Sequence, residues 1–153
     1  MNKLREVRDE KKLDNKGFSL VELIIVIAIM AVLIGVLAPQ YLKYVEKSRK
    51  SADLDTLDGM ISAVEIFSAD PANSIVDGTL TCDANGNISA DDAVLEALKD
   101  AGIAKSTANA RETLTSVKST TYKHAWTIDF DENGVQVNDA DTNSTLAADL
   151  GRN

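Results

Sequence analysis

Lys16-Gly17-Phe18-Ser19-Leu20-Val21-Glu22 opens an apolar run that continues to Leu37. From Phe18 to Leu37 there are 20 residues, of which only Ser19 and Glu22 are polar. At about 1.5 Å of rise per residue, a helix of this length spans roughly 30 Å, the thickness of a bilayer core. No small domain has an interior deep enough to surround a helix that is hydrophobic on every side. The segment therefore needs lipid, or other copies of itself. Its β-branched residues, among them Val21, Ile24, Ile25 and Val26, are indifferent helix formers. In lipid, however, the backbone must satisfy its own polar groups, and that requirement imposes helix.

Glu22 is the exception inside this run. A carboxylate in hydrocarbon costs on the order of 2.5 to 3.5 kcal/mol at the centre of an inserted helix and less near its end, so such a residue is normally paired or functional. A plain membrane anchor with Glu22 at headgroup level is the simpler alternative.

Gly17-Phe18-Ser19-Leu20-Val21-Glu22-Leu23-Ile24, followed by Pro39, resembles the N-terminal signature of type IV prepilins and their pseudopilin relatives. The match covers about the first third of the chain and the remainder agrees only in general plan. The resemblance implies cleavage after Gly17 by a membrane aspartic prepilin peptidase and N-methylation of the exposed Phe18. It also implies that Glu22 neutralises the new α-amino group of a neighbouring subunit during assembly. The leader of 17 residues is longer than many of its kind and carries Asp9, Glu10 and Asp14, while Lys16-Gly17 keeps the local cleavage context. An ordinary secretory signal ending at Val36-Leu37-Ala38 competes less well. The apolar run exceeds the 7 to 15 residues typical of a signal core, and Pro39 directly after the cut is a poor protease substrate.

The predicted fold is α+β: one long N-terminal helix, membrane-spanning in its first half, packed against a small C-terminal antiparallel sheet, the plan of a pilin. The expected divisions are a cleaved leader over 1–17, a transmembrane and polymerisation helix over 18–38, and a helical spine over 39–70. A variable connecting loop with a short helix follows over 71–112, then the sheet and a C-terminal loop over 113–153. Gly35 and Pro39 predict a bend or loosened turn, because proline removes one helical hydrogen bond and crowds the preceding turn. Pro39 is accordingly a candidate assembly residue beside Glu22.

Leu54, Leu57, Ile61 and Val64, flanked by Met60 and Phe67, recur at helical spacing, with Asp53, Asp55 and Asp58 expected to face away and Asp70-Pro71 to end the helix. Tyr41 and Tyr44 sit where rings favour a membrane interface. A short strand is expected over Thr79–Cys82 between turn signals. The next helix is expected to start at Ser89 and Asp92 and to end at Gly102. Tyr122, His124, Trp126, Ile128 and Phe130 alternate with polar residues and predict a strand, with Asn133-Gly134 as its hairpin turn and Thr113–Thr120 as a weaker third strand.

Charge is unevenly placed. The whole chain carries a formal −8, but residues 51–153 hold six basic against eighteen acidic side chains, a net of −12. An acidic domain does not seek phosphate backbones, so direct nucleic-acid binding is disfavoured. Basic residues gather in the leader, which agrees with a cytoplasmic N-terminus, and at Lys43, Lys47, Arg49 and Lys50 just beyond the apolar run. The lone Cys82 excludes an intrachain disulfide. Many Gram-negative type IV pilins are stapled by one, and this departure leans toward a Gram-positive source.

Asp129, Asp131 and Asn133 match the first half of a calcium-binding loop, but the twelfth position is Ala140 instead of a bidentate Glu. They are a weak calcium candidate, to which Asp139, Asp141 and Asn143 could add oxygens; a solvated hairpin is the plainer reading. No phosphate loop, paired metal-binding His or nucleophile elbow appears in the sequence, and no cofactor or enzymatic role is expected.

The resemblance implies a structural subunit, the major one, of an extracellular type IV pilus, inserted in the cytoplasmic membrane as a single-pass precursor. Its partners would be itself as a helical homopolymer, the prepilin peptidase, and an assembly platform with its ATPase. Adhesion, surface motility or biofilm formation would be the outputs. A pseudopilin of a type II-like secretion system, or a minor or DNA-uptake pilin, would share everything before Pro39.

Overall fold

The computed structural model describes residues 18–74 and 76–152. The leader over 1–17, and with it Gly17, lies outside the described residues. Helix α1 runs from Leu20 to Ala69, followed by β1 (Gly78–Cys82), β2 (Asn87–Ala90), α2 (Asp92–Asp100), β3 (Thr115–Ser116), β4 (Trp126–Asp131), β5 (Gly134–Asp139) and α3 (Leu146–Asp149). The chain divides into two compact units, the first ending at Gln40 and the second beginning at Tyr41.

In the first unit the backbone is α-helical from Leu20 onward, and it remains so through Gly35 and Pro39. The turn expected to loosen there stays helical, because proline removes a single hydrogen bond while its neighbours keep theirs. The large apolar side chains between Phe18 and Leu37 are each at least 49% exposed.

The second unit is built on the later part of α1. Leu57, Met60, Ile61 and Val64 are buried at helical spacing, and Leu54 and Phe67 pack at the margin of the same core. Against them lies a five-stranded antiparallel sheet of order β3-β2-β1-β4-β5. Trp126, Ile128 and Phe130 are buried and alternate along β4 with half-exposed Thr127, Asp129 and Asp131. This is the alternation predicted, with the aromatic face inward. Trp126 is buried beside fully enclosed Leu80 and Tyr122, and its indole N–H donates to the Tyr122 carbonyl at 3.0 Å.

Five local details differ from the sequence reading. Asp53 does not face away with exposed Asp55 and Asp58; it is 5% exposed. Its carboxylate accepts from the backbone N–H groups of Lys118 (2.9 Å) and Ser119 (2.7 Å). Two turns earlier, Glu46 Oε1 accepts from the N–H groups of Thr120 (2.6 Å) and Thr121 (3.1 Å) and from both hydroxyls. These carboxylates do for residues 117–122 what a neighbouring strand would otherwise do. For that reason Tyr122 and His124 lie outside β4, which starts at Trp126, and β3 shrinks to two residues. Strand β2 occupies residues that read as a turn and helix start, and the cap of α2 is Asp91, not Ser89, accepting from Val94 N at 3.1 Å. Asp91 also accepts from Thr79 N at 2.6 Å, and a Cβ at Gly78 would lie 2.5 Å from its carboxylate, so a side chain there would push the capping Asp91 aside. Gly102 follows the end of α2 at φ +72°, where the sequence placed the cap.

The C-terminal segment is tied to α1 by side chains the sequence did not pair. Lys50 Nζ lies 2.8 Å from Asp149 Oδ2 and 5.4 Å from the centre of the Tyr122 ring, whose hydroxyl donates to Asp149 at 2.6 Å. The Thr145 hydroxyl donates to the same carboxylate. Arg152 clasps Glu65 through both guanidinium nitrogens, at 2.7 and 3.1 Å. Burial pushes the Asp149 carboxyl up, but the bonds from Lys50, Thr145 and Tyr122 outweigh it and hold it at about 2. For Glu46, burial is likewise outweighed by the four bonds from Thr120 and Thr121, and its carboxyl sits below the ordinary range.

Two outcomes follow for the full chain in detergent. Asp53→Ala leaves buried N–H donors unmatched and should cost about 2–4 kcal/mol of unfolding free energy in urea, whereas Asp55→Ala should cost almost none. Carboxyls held below their unfolded values stabilise the fold above the unfolded pKa of about 4 and lose that contribution as pH falls. The melting temperature should therefore hold from neutral pH to about 5 and drop between about pH 4 and 2. Asp149→Asn should flatten that drop, and an unchanged acid limb would exclude this carboxylate as its source.

Candidate assembly surface

The start of α1 is a reciprocal cap. Ser19 Oγ accepts from Val21 N at 3.3 Å and Glu22 Oε2 accepts from Ser19 N at 3.0 Å, while Leu23 N bonds to the Ser19 carbonyl at 3.2 Å. Ser-x-x-Glu is a capping box, which satisfies orphan N–H groups at a helix start and sets an acid against the positive end of its dipole. The Ser-x-x-Glu spacing lies within Ser19-Leu20-Val21-Glu22, where the surrounding apolar run masks it as a cap.

Phe18 precedes this cap and is 90% exposed. Glu22 thus lies one turn beyond the α-amino group that a cut before Phe18 would create, and it is itself exposed. Gly17, on the other side of that bond, is outside the described residues. Pro39 lies within the helix, and its side chain is exposed.

The apolar window of α1 is long and hydrophobic enough to cross a membrane, and none of it is buried among the described residues. Each side chain of this kind is worth about 1.5–3 kcal/mol when withdrawn from water. Leaving the whole set exposed would cost tens of kcal/mol, more than the 5–15 kcal/mol that typically holds a domain folded.

The remaining candidates have local partners. Asp129 accepts from the Thr79 hydroxyl at 2.9 Å and from the Asn138 amide at 2.6 Å. Asp131 accepts from Asn133 N at 2.7 Å in the β4–β5 turn, so these oxygens serve strand pairing and the hairpin. Among the described residues, no group of three His, Cys, Asp or Glu side chains is placed to hold a metal ion. His124 pairs with Asp139 at 2.9 Å at the edge of the sheet. Cys82 is buried in β1, and burial together with Asp83, Asp53 and Asp139 pushes its thiol up to about 12, so it stays protonated and a poor nucleophile. A shallow groove of about 600 Å³ runs past Thr81, Trp126, Thr127 and Asn138.

The profile of the prokaryotic N-terminal methylation motif matches residues 12–38. No solved structure matches the chain. The matched segment holds the predicted cut site, the capping pair Ser19 and Glu22 and the uncovered apolar helix, which together fit a membrane-anchored precursor. The chain thus carries the prokaryotic N-terminal methylation motif, the type IV pilin signal, ahead of a pilin-like α+β fold of long helix and antiparallel sheet.

Proposed function

We propose that this chain is a structural subunit, the major pilin, of an extracellular type IV filament. The observation that carries this reading is the apolar helix of the methylation-motif segment, none of which is buried among the described residues. In the precursor, lipid surrounds the helix. Prepilin peptidase cuts after Gly17, the amine of Phe18 is methylated, and an assembly platform with its ATPase moves the subunit from lipid to fibre. Leaving the bilayer costs little when the helices of neighbours replace hydrocarbon with hydrocarbon. Identical contacts that do not close on themselves generate a helical fibre. Many weak surface contacts along such a fibre add up to avidity, suiting it to adhesion, surface motility or biofilm formation.

Glu22 serves twice in this scheme. Before cleavage it caps its own helix, and in the fibre it faces the α-ammonium of an adjoining subunit, where a charge in apolar surroundings requires a partner. The two roles separate by substitution. Glu22→Gln keeps an acceptor for Ser19 N but removes the charge, so cleavage should proceed while surface fibres fall about tenfold or more, given at least 1.4 kcal/mol for a lost buried ion pair. Normal fibres from Glu22→Gln, with loss only in Glu22→Ala, would reduce the residue to a cap. Gly17→Ala should leave uncut precursor in the membrane and no fibres, read by immunoblot and electron microscopy; normal fibres from this variant would contradict the processing step.

A further inference from the structure

Two Asn-x-Ser/Thr triplets occur in the chain, Asn87-Ile88-Ser89 and Asn143-Ser144-Thr145, and neither has proline in its middle. Such a triplet is the acceptor pattern for transfer of a glycan to an asparagine amide. The pattern is short enough to arise by chance, and the fold separates the two copies. Asn87 lies in β2, which pairs with β1 on one side and β3 on the other. Its amide nitrogen donates to Asp83 Oδ2 at 3.0 Å, and its side-chain oxygen accepts from the Ser116 hydroxyl at 3.0 Å. The middle residue, Ile88, is buried in the core. No enzyme can take up this triplet without opening the sheet.

Asn143 is placed differently. It sits in the connection between β5 and α3, and its side chain is exposed, as are those of Thr142 and Thr145. Its backbone N–H donates to Asp141 Oδ1 at 2.9 Å, and the Ser144 N–H donates to the Asp141 carbonyl at 2.9 Å. These two bonds close the turn on backbone groups alone, so the Asn143 amide makes no hydrogen bond among the described residues. Thr145 lends its hydroxyl to Asp149 and accepts from Lys50 Nζ at 3.4 Å. Freeing that hydroxyl leaves Asp149 with Lys50 at 2.8 Å and the Tyr122 hydroxyl at 2.6 Å, so the triplet can be presented at the cost of surface contacts.

We propose that Asn143 is an N-glycosylation acceptor, with a lipid-diphosphate-linked oligosaccharide as donor and Thr145 as the hydroxyl that a transferase reads. In the transfer, Asn143 Nδ2 gives up one proton and bonds to the anomeric carbon of the first sugar. The bond from that carbon to the diphosphate oxygen breaks, and its electron pair leaves with the lipid diphosphate. The product carries a bulky, hydrated group on an exposed turn that takes no part in the sheet. The inference rests on the reading that the second unit reaches the outer side of the membrane, and it adds one carbohydrate chain per subunit at a fixed position.

The test uses fibres sheared from cells that assemble the full chain. Trypsin releases residues 124–152 as one peptide, because no Lys or Arg lies between Lys123 and Arg152. That peptide should be heavier than its sequence by one oligosaccharide, with fragment ions placing the added mass on Asn143. Asn143→Gln and Thr145→Ala should each return it to its bare mass, whereas Thr145→Ser should keep the glycan and Asn87→Gln should leave it unchanged. Added mass that survives Asn143→Gln would belong to a hydroxyl, and added mass that survives Thr145→Ala would exclude recognition of the triplet; either result would overturn the proposal. Fibres that begin at Phe18 and yield only the bare peptide would overturn the glycan and leave the filament reading standing. Cells without fibres, whose chain begins at Met1 and yields only the bare peptide, would overturn both.

Discussion

A helix segment that is apolar on every side, with none of it buried among the described residues, sets the terms for the rest of this molecule. The side chains from Phe18 to Leu37 carry a hydration cost several times the stability of an ordinary small domain. The helix can therefore exist only in lipid or among like helices, and the methylation motif over residues 12–38 covers this same segment. Glu22 is the single acid within that surface, and its bond to Ser19 N shows how it is accommodated while no partner is present.

The later part of α1 works by different chemistry. There the helix buries a conventional stripe, Leu57, Met60, Ile61 and Val64, and adds two carboxylates that grip irregular backbone. Asp53 and Glu46 substitute for strand pairing across residues 117–122, while Lys50 and Glu65 hold the C-terminal segment through Asp149 and Arg152. With no disulfide available to the lone Cys82, these charged hydrogen bonds supply the cross-links between helix and loops. Of these, the bonds of Glu46 and Asp149 are the ones acid removes, because both carboxyls are held below the ordinary range.

Much of this was legible from residue order alone. The apolar run, the helical stripe at Leu57, Ile61 and Val64, the inward face of β4 and the Asn133-Gly134 turn all follow from local periodicity and turn chemistry, which sequence records directly. What escaped was long-range and polar. An aspartate on a helix reads as solvated unless the loop it binds is known, and Asp53 meets that loop 65 residues away. Strand β2 was hidden because Asn87 and Ser89 favour turns and caps in isolation, while their pairing with β1 is decided by the register of Ile88 opposite Cys82. The capping role of Glu22 was hidden for the opposite reason: a membrane reading of its neighbours left no room for an ordinary helix start.

The central claim is that lipid is exchanged for copies of the same helix after one cut beside Phe18. Intact-mass measurement of filaments sheared from the cell surface tests it most directly. The account predicts a subunit beginning at Phe18 and, apart from a glycan on Asn143, one methyl group heavier than the bare polypeptide; a subunit that still begins at Met1, or one that begins at Pro39, would contradict it.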